Sequence, residues 1–192
     1  MVLMSESIKE VSEVLKARGE TIAVAESTTG GLISARLLSM PGASSYFLGG
    51  VIIYSRLSRK VLLDATAEKL HGVKPLSEEM AKFFAKDVRE KLAATWGIAE
   101  LGLAGPTGSV YGYEAGNSVI AVSGPKEASV RINTGHNDRV RNMEEFTDCA
   151  CLLLRDVLLK QISKPGVGKF IKRGLKKRLS LLLTFGWNVS EI

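Results

Sequence analysis

Between Thr21 and Met40 the chain changes its period without a linker. "TIAVAE" (21–26) is a short β-favouring run, and "GGLISARLLSM" (30–40) carries apolar residues at helical spacing until Pro41-Gly42 stops it. Three hydroxyls and two glycines, "STTGG" (27–31), stand between them. A strand that passes through a tight turn into a helix opens an α/β unit, and this junction constrains the fold more than any other stretch.

The alternation continues along the chain. Ser5 to Arg18 reads as a helix, with Ile8, Val11, Val14 and Leu15 at three- and four-residue steps and Gly19 to end it. "YFLGGVIIYS" (46–55) reads as a buried strand with Gly49 and Gly50 at a bend or close backbone approach, and "RLSRKVLL" (56–63) as a helix. Ser77 starts a long helix, "SEEMAKFFAKDVREKLAAT" (77–95), and "GIAELGLAG" (97–105) is a strand running into a loop. "NSVIAV" (117–122) and "ASVRIN" (128–133) form a hairpin across Ser123-Gly124-Pro125. Asp138 to Lys160 is a closing helix with Val140, Met143, Phe146, Ala150, Leu153 and Leu154 on its inner face. The expected class is α/β, with a mixed sheet and helices on both faces.

With 192 residues, 45% hydrophobic and 24% charged, the chain can bury a real core. No apolar run reaches the roughly 18 residues of a membrane helix. The N-terminal "MVLMSESIKE" is not expected to be a secretory or transit signal. Cys149 and Cys151 lie two residues apart in a helical pattern, about 200° from each other, so they are expected as unbridged, buried thiols in a reducing cytoplasm. With His71 and His136 distant in sequence, no zinc spacing appears and no metal is expected. The net charge of +6 lies in one place: residues 1–163 hold 19 basic and 19 acidic side chains, and 164–192 hold seven basic residues and Glu191. Ser163 to Gly168 is the boundary, giving a domain over 1–163 and a basic amphipathic tail over 164–192. Phe170, Ile171, Leu175, Leu179 and Leu182 can share one face of a tail helix, suited to an anionic membrane surface or a partner protein; an accessory extension is the alternative.

A helix that begins right after a strand offers unpaired N–H groups and a positive dipole end, glycines allow close approach, and hydroxyls add hydrogen bonds. "ESTTGG" therefore reads as a cradle for a phosphate or carboxamide, or as a plain helix cap. The order of motifs adds to this. "AESTTGG", "PGASSYFLGGVIIYS", "LSEEMA", "GLAGPTG" and "AGNSV" resemble, with almost no gaps over residues 5–160, the C-terminal domain of the competence/damage-inducible CinA family. That family carries "AESCTGG", "PGSSxxFxGGxxxYSNEAK", "VSEEVA", "TGIAGPxGG" and "PVGTV".

The resemblance implies a three-layer α/β/α sandwich with a mixed sheet. It also implies a nicotinamide-nucleotide amidohydrolase that converts nicotinamide mononucleotide to nicotinic acid mononucleotide and ammonia, with a serine and a lysine and no metal or cofactor. A serine hydroxyl needs a base, a lysine is one only when its pKa is lowered, and the tetrahedral oxyanion needs donors. By resemblance the nucleophile falls on Ser44, with Ser45 its neighbour and rival, and Tyr54 matches a tyrosine that assists proton transfer. Ser27, Thr28, Thr29, Gly30, Gly31, Ser45, Gly102, Ala104, Gly105 and Arg141 are the implied substrate-binding positions. They are expected to converge where the 25–31 turn, the 42–47 turn, the 54–60 segment and the 102–108 loop meet.

The match fails at the base. The family's lysine lies five residues after the tyrosine, and here that position is Arg59; Lys60 is one residue on, turned about 100° away on a helix. Arginine stays protonated and cannot act as a general base. Arg56, Leu57 and Leu101 also replace polar family residues, Tyr113 to Asn117 replaces "KPVGT", and the family's "GDR" reads Gly135-His136-Asn137. Three readings follow: an amidohydrolase with Lys60 or an activated water as base, a non-catalytic relative that binds a nucleotide or another anion, or an interaction module with a vestigial pocket. The expected partners are a small nucleotide such as nicotinamide mononucleotide, a second copy of the chain, and for the tail a membrane surface or partner protein. The expected location is the cytoplasm.

Overall fold

The computed structural model describes residues 2–110 and 112–160. The tail helix and the boundary at 163 lie outside them. Helix α1 (Val2–Arg18) leads into strand β1 (Ile22–Glu26), then α2 (Leu32–Leu38), a short 3-10 turn (Ala43–Ser45) and β2 (Phe47–Ile52). Helices α3 (Arg56–Leu63) and α4 (Glu78–Lys91) precede β3 (Trp96–Leu103), the hairpin β4 (Asn117–Ser123) and β5 (Ala128–Asn133), and the closing helix α5 (Arg139–Lys160).

The five strands form one sheet in the order β2-β1-β3-β4-β5. β1 is parallel to both β2 and β3, whereas β4 runs antiparallel to β3 and β5. Two apolar cores sandwich the sheet. Val24, Ile98, Ile120 and Val122 face Val11 and Leu15 of α1, Ile33 and Leu37 of α2, and Phe146 and Leu154 of α5. Ala23, Ala25, Ala99 and Val119 face Leu63 of α3 and Met80, Phe84 and Val88 of α4. The expected α/β/α sandwich with a mixed sheet is therefore the observed one. α2 is pinned to α5 by Arg36, whose Nη2 lies 2.8 Å from Glu144 Oε2 and whose Nη1 meets Asp148. Both cysteines are unbridged and buried.

Three expectations are corrected. The strand over 46–55 is shorter and lies at the edge of the sheet, with its side chains alternating between half-buried and exposed. The chain therefore reads as β-favouring there because of its β-branched and aromatic content, not because both faces are covered. Val140 is 71% exposed, so the inner face of α5 begins at Asn142 and Met143 rather than at Val140. The helix opened by Ser77, whose Oγ accepts from Met80 N at 3.1 Å, stops at Lys91 instead of reaching 95.

Close packing of α4 on β3 depends on Gly97. A Cβ there would run into the Ala85 carbonyl and Arg89 Cβ. Gly97→Ala is expected to lower stability by roughly 1–3 kcal/mol through overpacking, read as an earlier urea-unfolding midpoint with an unchanged slope.

Candidate functional site

The chain leaves β1 toward β2 on one side and later returns to β3 on the other. Ligands of open α/β sheets bind beyond the carboxyl ends of strands at such a reversal. Here that place lies beyond Glu26 and Leu103, where the 27–31 turn and the 104–116 loop emerge.

Two buried carboxyl groups floor this place. Glu26 and Glu100 are register partners on adjacent parallel strands, 1% and 0% exposed. Glu26 accepts from the N–H groups of Gly31 (3.0 Å), Ile33 (3.0 Å) and Ser34 (2.9 Å) and from Ser34 Oγ (2.6 Å). Glu100 accepts from Ser27 N (3.2 Å), Thr29 N (3.0 Å), Thr28 Oγ1 (2.5 Å) and Ser118 Oγ (3.1 Å). Thr29 Oγ1 stands between them, 2.8 Å from Glu26 Oε2 and 3.2 Å from Glu100 Oε2. Gly30 and Gly31, at φ 63° and 105°, bend the backbone so that these amides point inward. Gly102 lies flush on the cluster, where a Cβ would strike Thr28 Oγ1 and Glu100 Oε1.

The anion cradle read from "ESTTGG" is therefore already filled, at Gly31, Ile33 and Ser34, by the protein's own Glu26. Ser27, Thr28 and Thr29 are buried against Glu100 rather than open to a ligand. Neither glutamate was singled out from the sequence. Their signal is a single charged residue in each of two strands otherwise built of apolar and small residues, at the end of β1 and within β3.

The other candidate residues divide between the two ends of the sheet. Tyr54, 57% exposed, and Arg59 follow the carboxyl end of β2, and Ala104 and Gly105 follow that of β3. Arg139 joins these segments: its Nη1 donates to Gly105 O at 2.7 Å and its Nη2 lies 3.4 Å from Tyr54 Oη. Arg141 turns outward and pairs with Glu145, Nε to Oε1 at 2.7 Å. The cation against the tyrosine is thus Arg139, which the sequence reading passed over. Asn142, fully buried, holds the 104–105 corner by donating to Ala104 O (2.9 Å) and His136 O (3.1 Å).

Ser44 and Ser45 do not join this group. They are exposed on the turn before β2, at the amino end of the parallel strands, where Ile22 N donates to Tyr46 O at 2.7 Å. Within one chain the 42–47 turn and the 27–31 turn are at opposite ends of the sheet, so the expected convergence of four segments is reduced to three. The reason is topological: β2 runs parallel to β1, and a turn before one strand cannot meet the turn after its parallel neighbour.

Arg59 is held in place. Its Nε donates to Ile53 O at 3.0 Å, and its guanidinium stands 5.7 Å from the centroid of the Phe84 ring. It lines a small cavity of about 110 Å³ with Leu76, Met80, Leu101, Gly102 and Tyr113. Lys60 is exposed on the next helical position. A wider, open cleft of about 800 Å³ lies beside this cavity, walled by Pro106, Tyr113, Glu114, Asn133, His136 and Asn137. Ser109 and Tyr113 border both. Among the described residues no three His, Cys, Asp or Glu side chains stand close enough to hold a metal ion. Nor is any helix among them long and apolar enough to cross a membrane.

Comparison with known proteins bears on this arrangement. The model of the CinA C-terminal domain matches residues 4–158. The chain belongs to the CinA C-terminal domain family. A CinA-like protein of Prochlorococcus marinus (strain MIT 9313) is 43% identical over 115 residues, 60% of this chain and 27% of that protein. Another, from strain MIT 9312, is 36% identical over 157 residues, 82% of this chain and 36% of that one. The chain thus spans about a third or less of the length of the curated relatives it matches first. Among solved structures, the competence damage-inducible protein A (ComA) of Klebsiella pneumoniae subsp. pneumoniae has a TM-score of 0.75 and 26% identity, over 81% of this chain and 97% of that one. In this CinA domain the glutamate cluster lies beneath the candidate site, and Arg59 lines the small cavity beside it.

Burial pushes the Glu100 carboxyl above its ordinary range, against the opposing hydrogen bonds of Thr28, Thr29 and Ser118. A raised native pKa costs nothing while both states are protonated, opposes folding increasingly as pH rises above the unfolded-state value, and levels off once the native group has ionised too. The stability of the protein relative to its Glu100→Gln variant should therefore fall in urea titrations as the pH is raised above the ordinary carboxyl range. A difference that grows with pH would show that the ionised carboxylate is the favoured native form.

Proposed function

We propose that this CinA domain binds nicotinamide mononucleotide, or a close anionic relative, beyond the carboxyl ends of β1 and β3, and that its amide hydrolysis is severely impaired. Arg59 carries this reading. At the family's lysine position stands a guanidinium whose charge is permanent and whose Nε is committed to Ile53 O. It cannot take the proton that a serine must lose in order to attack.

Binding is supported by what surrounds it. The 104–105 corner is fixed by Arg139 and Asn142, the adjoining cleft is wide enough for a nucleotide, and Tyr113 offers an aromatic wall, with the Arg131 guanidinium 5.4 Å from its centroid. Arg139 brings positive charge to Tyr54 and Arg59 brings it to the small cavity beside the cleft, and guanidinium groups suit phosphate.

The test combines binding and turnover. Nicotinamide mononucleotide at about 100 times its Kd is expected to stabilise the chain by roughly 2.7 kcal/mol, seen as a higher Tm. Ammonia release by the unmodified chain is expected to be near background. Arg59→Lys, with Leu101→Thr alongside, is expected to raise it at least about tenfold, a barrier change of roughly 1.4 kcal/mol. Rapid ammonia release by the unmodified chain would overturn the impairment, and no stabilisation by the nucleotide would overturn the binding.

A further inference from the structure

We propose that the small cavity beside Arg59 takes the ring of the bound nucleotide, and that Arg59 makes it select a ring bearing an ionised carboxylate over the same ring bearing an amide. The chain then prefers nicotinic acid mononucleotide to nicotinamide mononucleotide. This rests on the nucleotide-binding reading above and adds to it which member of the pair the site holds.

Size and continuity come first. The cavity encloses about 110 Å³. An apolar cavity of roughly 150 Å³ takes one benzene ring, so the space is of the order of a single six-membered ring. Ser109 and Tyr113 border both this cavity and the wide cleft. A ring can therefore sit in the cavity while its sugar and phosphate stay in the cleft.

Charge comes second. Leu76, Met80, Leu101 and Leu103 give the cavity apolar walls, and among its described lining residues Arg59 is the only charged one. Apolar surroundings strengthen the field of such a charge. The cation is also fixed at the wall, with Nε donating to Ile53 O at 3.0 Å and the guanidinium 5.7 Å from the Phe84 centroid.

A fixed guanidinium reads the two nucleotides differently. In both, the glycosylated ring nitrogen is positively charged. The amide leaves the ring a net cation, which Arg59 repels; the carboxylate makes it a zwitterion, whose negative end Arg59 attracts. Guanidinium N–H groups only donate. A carboxylate accepts two of them in parallel, whereas the NH2 of an amide accepts none. Selectivity of this kind combines attraction of one ligand with repulsion of the other.

The aromatic wall points the same way. A cationic ring is commonly held on an aromatic face. Tyr113 is the aromatic side chain lining this cavity, and the Arg131 guanidinium already stands 5.4 Å from its centroid. Arg131 Nη2 donates to Leu76 O at 2.6 Å, and Leu76 has φ 52°, a conformation that a bulky side chain rarely adopts. Strained backbone at the cavity wall thus anchors a second cation on the tyrosine. These surroundings suit a carboxylate and disfavour a net cation.

Calorimetric titration of the full chain with the two nucleotides tests this. The acid is expected to bind at least about tenfold more tightly than the amide, the scale of one hydrogen-bonded ionic contact. Arg59→Gln, which both donates and accepts, is expected to bring the ratio to about one. If Arg59 only supported the wall, this change would weaken both nucleotides and leave the ratio intact. Leu103→Trp, at a half-buried position at the end of β3, fills the cavity and is expected to abolish the ratio by keeping the ring out. It keeps the test decisive if Arg59→Gln does not fold, and circular dichroism checks both variants.

Equal affinities, or tighter binding of the amide, would overturn this inference and leave nucleotide binding standing. So would a ratio that survives Arg59→Gln or Leu103→Trp. Binding of neither nucleotide would overturn the functional reading, and this inference would fall with it.

Discussion

Two carboxyl groups, Glu26 at the end of β1 and Glu100 beside it on β3, cut off from water, organise everything above the sheet. Burying one such group without partners costs several kcal/mol, and burying two together costs more. The chain offsets this cost with backbone amides and hydroxyls drawn from the 27–34 turn, from Ser118 on β4 and from Ser34 on α2. Each donor satisfied in this way fixes a piece of backbone. The turn, the start of α2 and the β3–β4 contact are thereby locked to one another; Gly30 and Gly31 supply the positive φ the turn needs, and at Gly102 a Cβ would strike the cluster.

That arrangement decides what the site can use. A helix start normally offers its amides to an anion, but here Glu26 has taken those of Gly31, Ile33 and Ser34. A bound phosphate would meet the guanidinium side instead, where Arg139 ties Gly105 to Tyr54 and Arg59 spans Ile53 and Phe84. A guanidinium at position 59 cannot act as a base and offers a forked, permanent cation. On the function proposed above, that suits the site to recognition rather than proton transfer.

Much of the fold was legible because it rests on local signals. Period, Gly19, Pro41-Gly42 and the Ser77 cap marked the elements within a few residues, and the order of motifs gave the sandwich. Period alone could not say that β2 lies at the edge, because an apolar run looks the same in the middle of a sheet and at its edge. Val140 was misplaced for a related reason: it keeps helical spacing but lies in the first turn of α5, beyond the reach of the sheet. In the site, Arg59 stood out by its position five residues after Tyr54. Glu26, Glu100, Arg139 and Asn142 did not, since their importance depends on which strands become neighbours. The separation of Ser44 from Tyr54 follows from the parallel pairing of β1 and β2, which sequence spacing does not report.

Amide hydrogen exchange, with and without nicotinamide mononucleotide, tests most directly whether the glutamates rather than a ligand own the turn. The amides of Gly31, Ile33 and Ser34 should already exchange slowly in the free protein and be unchanged by nucleotide, while protection should appear in the 104–109 and 134–142 segments. Fast exchange at those three amides in the free protein, slowed only on adding nucleotide, would mean that the turn is an anion site after all.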